Sequence, residues 1–141
     1  MCALISLFYG MLTCLCIRPG VQATPLLLTL GLAAFFIGQI GNLYHHILLR
    51  NVRTSNQTSR SKAYVVPAGG LFEYVACPHY LCEIIAWSGV ALVAPSIHTT
   101  LVALWVLSML SGRSAATSDW YRARFGSAYP SKRRNLIPGV F

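Results

Sequence analysis

Charge is scarce in this 141-residue chain, and acidic charge scarcest of all: charged residues make up 10% of the sequence, and the only carboxylates are Glu73, Glu83 and Asp119. Soluble domains carry about 25% charged residues. With 55% hydrophobic residues beside so little charge, the composition excludes an ordinary soluble domain and predicts an integral membrane protein. The five cysteines, Cys2, Cys14, Cys16, Cys77 and Cys82, form no CxxC pair and no secreted disulfide framework, so they read as small apolar packing residues. Cys77, His79, Cys82 and Glu83 are close together but match no standard zinc-ligand spacing, and no metal is expected. There is no internal repeat and no low-complexity tract. The N-terminal apolar run, Met1 to Ile17, lacks the basic start of a secretory signal and is short for a span.

Basic charge is what remains. Eleven Lys and Arg give a formal net charge of +8, and ten of them lie at or after Arg50. They fall in two clusters, Arg50, Arg53, Arg60 and Lys62, then Arg113, Arg122, Arg124, Lys132, Arg133 and Arg134. Basic residues beside spanning segments favour the cytosolic side and anionic headgroups, which accounts for most of these charges without nucleic acid. The polar loop 51–63 and the C-terminus are therefore both expected on the cytosolic face. Asn56-Gln57-Thr58 is a glycosylation acceptor pattern that matters only on the lumenal face.

Pro25 opens the clearest span, Leu26 to Leu49, of about the 20 residues a bilayer requires. Its later half carries Gln39, Asn42, His45, His46 and Arg50, and the spacing of Gln39, Asn42, His46 and Arg50 puts these four on one helical face that Arg53 extends. Such a seam reads either as hydrogen-bonding glue between helices or as the wall of a site for an anionic ligand. Leu71 to Val93 is apolar but interrupted by Pro78, which predicts a helix starting or kinking there. Pro95 separates it from Ile97 to Leu110, short for a span unless extended by its flanks. With loop and tail on one side, these two segments form a hairpin, giving an all-α membrane bundle of about four segments.

Tyr64 to Trp87 concentrates ionisable groups in otherwise apolar sequence. At membrane depth such groups cost on the order of several kcal/mol each unless they line a cavity or have partners. His79 and Glu83 lie one helical turn apart, with Tyr80 and Trp87 three and four residues from Glu83 on the same face. A His and Glu pair with a phenol could hold a nicotinamide ring or polarise a carbonyl in a dry pocket. A salt-bridged packing pair fits the spacing equally well.

The block Tyr64-x-x-Pro67-x-Gly69-Gly70-x-Phe72-Glu73-Tyr74-Val75, followed by Cys77-Pro78-His79-Tyr80-x-x-Glu83, resembles the C-terminal half of the steroid 5α-reductase family, which includes polyprenal reductases and very-long-chain enoyl-CoA reductases. Trp120-Tyr121, Tyr129-Pro130 and Leu136-Ile137-Pro138 through Phe141 resemble the same family's closing tyrosine, YP and IP signature. The resemblance covers residues 38–141; residues 1–37, an apolar helix and the start of a second, carry no counterpart. It implies an endoplasmic reticulum membrane enzyme that uses NADPH to reduce a C=C bond conjugated to a carbonyl in a lipid substrate, a 3-oxo-Δ4-steroid, a polyprenal or a trans-2-enoyl-CoA. It also implies association with other lipid-biosynthetic membrane proteins.

Residue by residue, the resemblance assigns cofactor contacts to Asn42, Arg53, Tyr64, Glu83, Arg113 and Tyr121. His46 stands where steroid reductases carry an acid and His79 where the family has Asn; both are kept as cofactor positions, since an imidazole still donates a hydrogen bond. Thr117 stands where many members carry His. Steroid-reducing members resemble a bundle of about seven helices whose N-terminal half supplies catalytic Glu and Tyr. No such acid precedes residue 38, so the chain reads as a truncated form with catalytic residues unassigned. The alternative is a non-catalytic membrane homologue that retains the cofactor-binding half.

Overall fold

The computed structural model describes residues 22–58 and 65–141. Three α-helices account for most of them: α1 at Pro25–Thr58, α2 at Pro78–Val93 and α3 at Ile97–Phe125. Single 3-10 turns at Gly70–Glu73 and Gly126–Ala128 flank them. No strand occurs among the described residues, and the lone bridge joins Val75 to Arg134.

Each helix starts where local chemistry dictates. Thr24 caps α1, its hydroxyl accepting the Leu27 N–H at 3.4 Å, and Pro25 fills the first helical position, where a missing N–H costs nothing. Pro78 does the same for α2 after Cys77, so the proline starts the helix rather than kinking one. Pro95 ends the hairpin connection, and Ser96 opens α3 with a reciprocal cap. The Ser96 hydroxyl accepts the Thr99 N–H at 3.2 Å while the Ser96 N–H donates to Thr99 Oγ1 at 3.1 Å.

Two boundaries differ from the sequence expectation. The polar stretch expected as a loop from Asn51 is helical as far as Thr58. Neither glycine nor proline occurs between Asn51 and Pro67, so nothing in the chain breaks the helix there. Likewise α3 does not stop at Leu110 but continues to Phe125, with its second half polar.

α1 is long and apolar enough over Pro25–Thr54 to cross a membrane, and α2 is a shorter apolar helix. They pack through their smallest residues. A Cβ placed on Gly38 would lie 2.6 Å from both the Ala86 nitrogen and the Cys82 oxygen, and one on Gly89 would lie 2.6 Å from the Gly31 oxygen. The two backbones are thus in direct contact, which is how helices associate where the surroundings are as apolar as their side chains. The buried residues of α1, Gly31, Gly38 and His45, recur every seven positions. Leu26, Ile37, Ile40 and Leu43 point outward.

The largest buried side chains lie elsewhere. Phe72, Val75, Cys77, Pro78 and Leu136 form a core at one end of the helices, where residues 65–77 meet the C-terminal segment. Backbone hydrogen bonds lace the two together: Ala76 N–H to Arg134 O at 2.8 Å, Arg134 N–H to Tyr74 O at 2.9 Å and Cys77 N–H to Asn135 O at 3.3 Å. The two motif blocks, separated by some forty residues of helix, are therefore one cap.

Candidate functional site

The Gly69-Gly70 pair makes the turn that docks this cap on α1. Both glycines have positive φ, 93° and 56°, a region other residues rarely enter. A Cβ on Gly70 would lie 3.0 Å from the Tyr44 ring and 3.3 Å from His45 Nε2. His45 receives the turn: its Nε2 accepts the Leu71 N–H at 3.3 Å, and its Nδ1 donates to the Gly41 carbonyl at 2.7 Å. That pair of bonds fixes the neutral imidazole in one tautomer. His45 thus works as a structural joint, buried between α1, the turn and Cys82, whose sulfur is 3.9 Å away.

Next to this joint the residues singled out from the sequence come together from three helices. On α1, Asn42 donates from its amide to the His79 carbonyl at 3.0 Å, so at least part of its bonding serves helix packing. His46, exposed on the same helix, faces His79 with ring centroids 5.0 Å apart. Arg53, also exposed, lies within electrostatic reach of His46, His79 and Tyr121.

On α2, His79 is 9% exposed, packed between Tyr80 at 4.3 Å and Phe72 at 6.3 Å between centroids, and its Nδ1 has no hydrogen-bond partner. Buried polar atoms in folded proteins nearly always have partners, so this unpartnered nitrogen is an exception that the packing of His79 leaves unsatisfied. Glu83, one turn on, is half-buried and sits in the field of Arg113 from α3. No ion pair joins Glu83 to His79 or Arg113; among the described residues the one ion pair is Arg122 to Asp119 at 3.1 Å, on the surface. The salt-bridged packing pair weighed for His79 and Glu83 is therefore corrected: both side chains keep their polar atoms free of each other.

α3 supplies Arg113, Thr117 and Tyr121, spaced by four so that they share one face. Arg113 is exposed and Tyr121 half-buried. Burial pushes the Tyr121 phenol above its ordinary range, reinforced by Cys77 and Tyr129 and opposed by Arg133 and Arg53. At neutral pH it is a hydrogen-bond donor. Its ring stacks on Tyr129 at 5.6 Å and 8°. Of the expected site residues, Tyr64 lies outside the described residues. The other seven are linked pairwise: Asn42 and His46 contact His79, Arg53 lies within electrostatic reach of His46, His79 and Tyr121, and Arg113 within that of Glu83. Among the described residues no three His, Cys, Asp or Glu side chains gather as a metal set.

The sequence reading missed the roles of His45 and Arg133. His45 was legible, since it continues the seven-residue spacing of Gly31 and Gly38. Arg133, placed with the headgroup-facing charges, is in fact buried; flanked by Lys132 and Arg134, it carried no distinguishing signal.

Fold and site define an all-α protein whose ionisable groups gather at one end of an apolar helix pair, roofed by a cap that joins two distant motifs. The chain belongs to the 3-oxo-5-alpha-steroid 4-dehydrogenase family: the family model of that description matches residues 7–141. It is 38% identical over 116 residues to 3-oxo-5-alpha-steroid 4-dehydrogenase 1 of Rattus norvegicus, covering 82% of this chain and 42% of the rat protein. It is similar, at 36% over 109 residues, to the very-long-chain enoyl-CoA reductase of Dictyostelium discoideum, covering 77% of this chain and 35% of that protein. The human 3-oxo-5-alpha-steroid 4-dehydrogenase 1 is 35% identical over 112 residues, 79% of this chain and 41% of the human protein. The chain thus spans less than half the length of these relatives.

Proposed function

We propose that this chain carries the nicotinamide-cofactor half of a membrane-embedded reductase of lipid C=C bonds conjugated to a carbonyl. The observation that carries the reading is the grouping, by contact or electrostatic reach, of a buried imidazole with an unpartnered Nδ1, a half-buried carboxylate, two exposed guanidiniums and a protonated phenol from three helices. That donor set fits NADPH. Planar guanidiniums suit bidentate contacts to phosphates, so Arg53 and Arg113 hold the anionic part. Glu83, His79 and Tyr121 are left to orient the ring by hydrogen bonds, with Asn42 and His46 completing the wall. Bound NADPH supplies the hydride; the chain's own residues bind it, orient it and limit water around it.

The outward apolar faces of α1 and α3 suit lipid, and both basic clusters suit a cytosolic surface, which favours an endoplasmic reticulum membrane protein with residues 51–63 and the C-terminus cytosolic. The substrate is a lipid with a C=C bond conjugated to a carbonyl, a 3-oxo-Δ4-steroid, a polyprenal or an enoyl-CoA; the first and last are the classes carried by the names of the relatives. Other lipid-biosynthetic membrane proteins are its natural neighbours.

Glu83→Gln removes the charge and keeps the shape. The expected result is about tenfold weaker NADPH binding, equivalent to about 1.4 kcal/mol, with protein yield and melting temperature unchanged. Unaltered affinity would return Glu83 to a packing role.

A further inference from the structure

Arg133 is a buried charge with no counter-ion. It is 3% exposed, its Nη1 donates to the Pro67 carbonyl at 3.0 Å, its Cζ sits 5.4 Å from the centre of the Tyr129 ring, and its Nε has no partner. No carboxylate lies within ion-pair range. Taking a guanidinium out of water against neutral partners alone is costly, and topology does not require it, because Lys132 and Arg134 on either side are exposed and serve that purpose. A carbonyl bond and a ring face offset part of the cost. What the arrangement achieves is mechanical.

Arg133 ties together two pieces of chain that each lead to the site. Pro67 precedes the Gly69-Gly70 turn, which is seated on His45. Tyr129 stacks nearly parallel on Tyr121, the phenol assigned to the cofactor in the reading above. The connected series runs from Pro67 through Arg133 and Tyr129 to Tyr121, and only its last member faces the proposed ligand.

We propose that Arg133 is a positioning residue of the cofactor site: by clasping the Pro67 carbonyl and the Tyr129 ring it holds Tyr121 in place, so that affinity for NADPH depends on a side chain that does not touch it. The inference rests on the cofactor reading above. The planar guanidinium is central to it, because its in-plane N–H bonds the carbonyl in a fixed geometry while its face lies toward the ring, an arrangement that a tetrahedral ammonium on a flexible stem does not hold as rigidly.

The test is a double-mutant cycle on the full 141-residue chain, with NADPH affinity measured by calorimetry and folding checked by thermal melting. Arg133→Lys keeps the charge and is expected to raise the NADPH Kd about tenfold. In a Tyr121→Leu background, itself weakened, the same Arg133→Lys change is expected to have no further effect, because the residue acts through the missing ring. Tyr129→Leu, which removes the intermediate ring, should match Arg133→Lys. Tyr129→Phe should bind like wild type, since the buried Tyr129 hydroxyl has no partner. Equal losses from Arg133→Lys in both backgrounds would overturn the proposal in favour of general stabilisation, as would no loss in either. If Arg133→Lys fails to fold, Tyr129→Leu against Tyr121→Leu runs the same cycle. Folded wild-type protein that does not bind NADPH overturns the cofactor reading first and this inference with it. Wild-type binding together with an indifferent Arg133→Lys overturns the clasp alone.

Discussion

The two halves of this molecule are packed in opposite ways. Where α1 meets α2, the smallest residues are inside, Gly31, Gly38, Ala86 and Gly89, and the large ones, Leu26, Ile37, Ile40 and Leu43, are outside. In the cap, Phe72, Val75 and Leu136 are inside, among the most buried side chains described. A hydrophobic core forms where burial removes apolar surface from water. Where the surroundings are themselves apolar that force disappears, and close backbone contact between small residues takes over. The contrast is the one that lipid around the helix pair and water around the cap predict, and the candidate site lies where the two kinds of packing meet.

That comparison can be broken by substitutions that the two regimes rank differently. The largest effect is expected in the cap: Phe72→Ala should lower unfolding stability in detergent by about 3–5 kcal/mol, as for an aromatic residue in a water-excluded core. Denaturant titration measures it, and a change under about 1 kcal/mol would mean that the cap has no such core. Between the helices the sign reverses, because adding a methyl group should do the harm. Gly38→Ala puts a Cβ 2.6 Å from two backbone atoms of α2 and is expected to cost about 1–3 kcal/mol by overpacking. If it stabilised the protein, as alanine does in an unencumbered helix, the tight crossing would be wrong. The smallest effect belongs to the outward face. Ile40→Ala removes a side chain 68% exposed and should stay within about 0.5 kcal/mol; a loss comparable to Phe72→Ala would place Ile40 against protein.

The same boundary explains what the sequence could reveal. Apolar length and the prolines marked the helices well: Pro25, Pro78 and Pro95 each stand at or beside a helix start. The polar end of α1 was harder, since no breaker marks its stop and propagation beyond the apolar run depends on local helix formation alone. Arg113 and Tyr121, beyond the expected helix end at Leu110, came only through the family resemblance, whereas His79 and Glu83, on a regular spacing, could be paired from helical geometry. Contacts made by irregular chain could not. The clasp of Arg133 on Pro67 spans 66 positions, no periodicity encodes it, and its neighbours have the same charge with the opposite exposure. Asn42 shows a further limit, because a residue assigned to a ligand by position also donates its amide to the His79 carbonyl.

The central claim is that this chain by itself builds a nicotinamide-cofactor site. Calorimetric titration of the detergent-purified chain with NADPH, using NADH as control, tests it most directly. Saturable binding that favours NADPH is the predicted result; no binding by protein that melts cooperatively would contradict it.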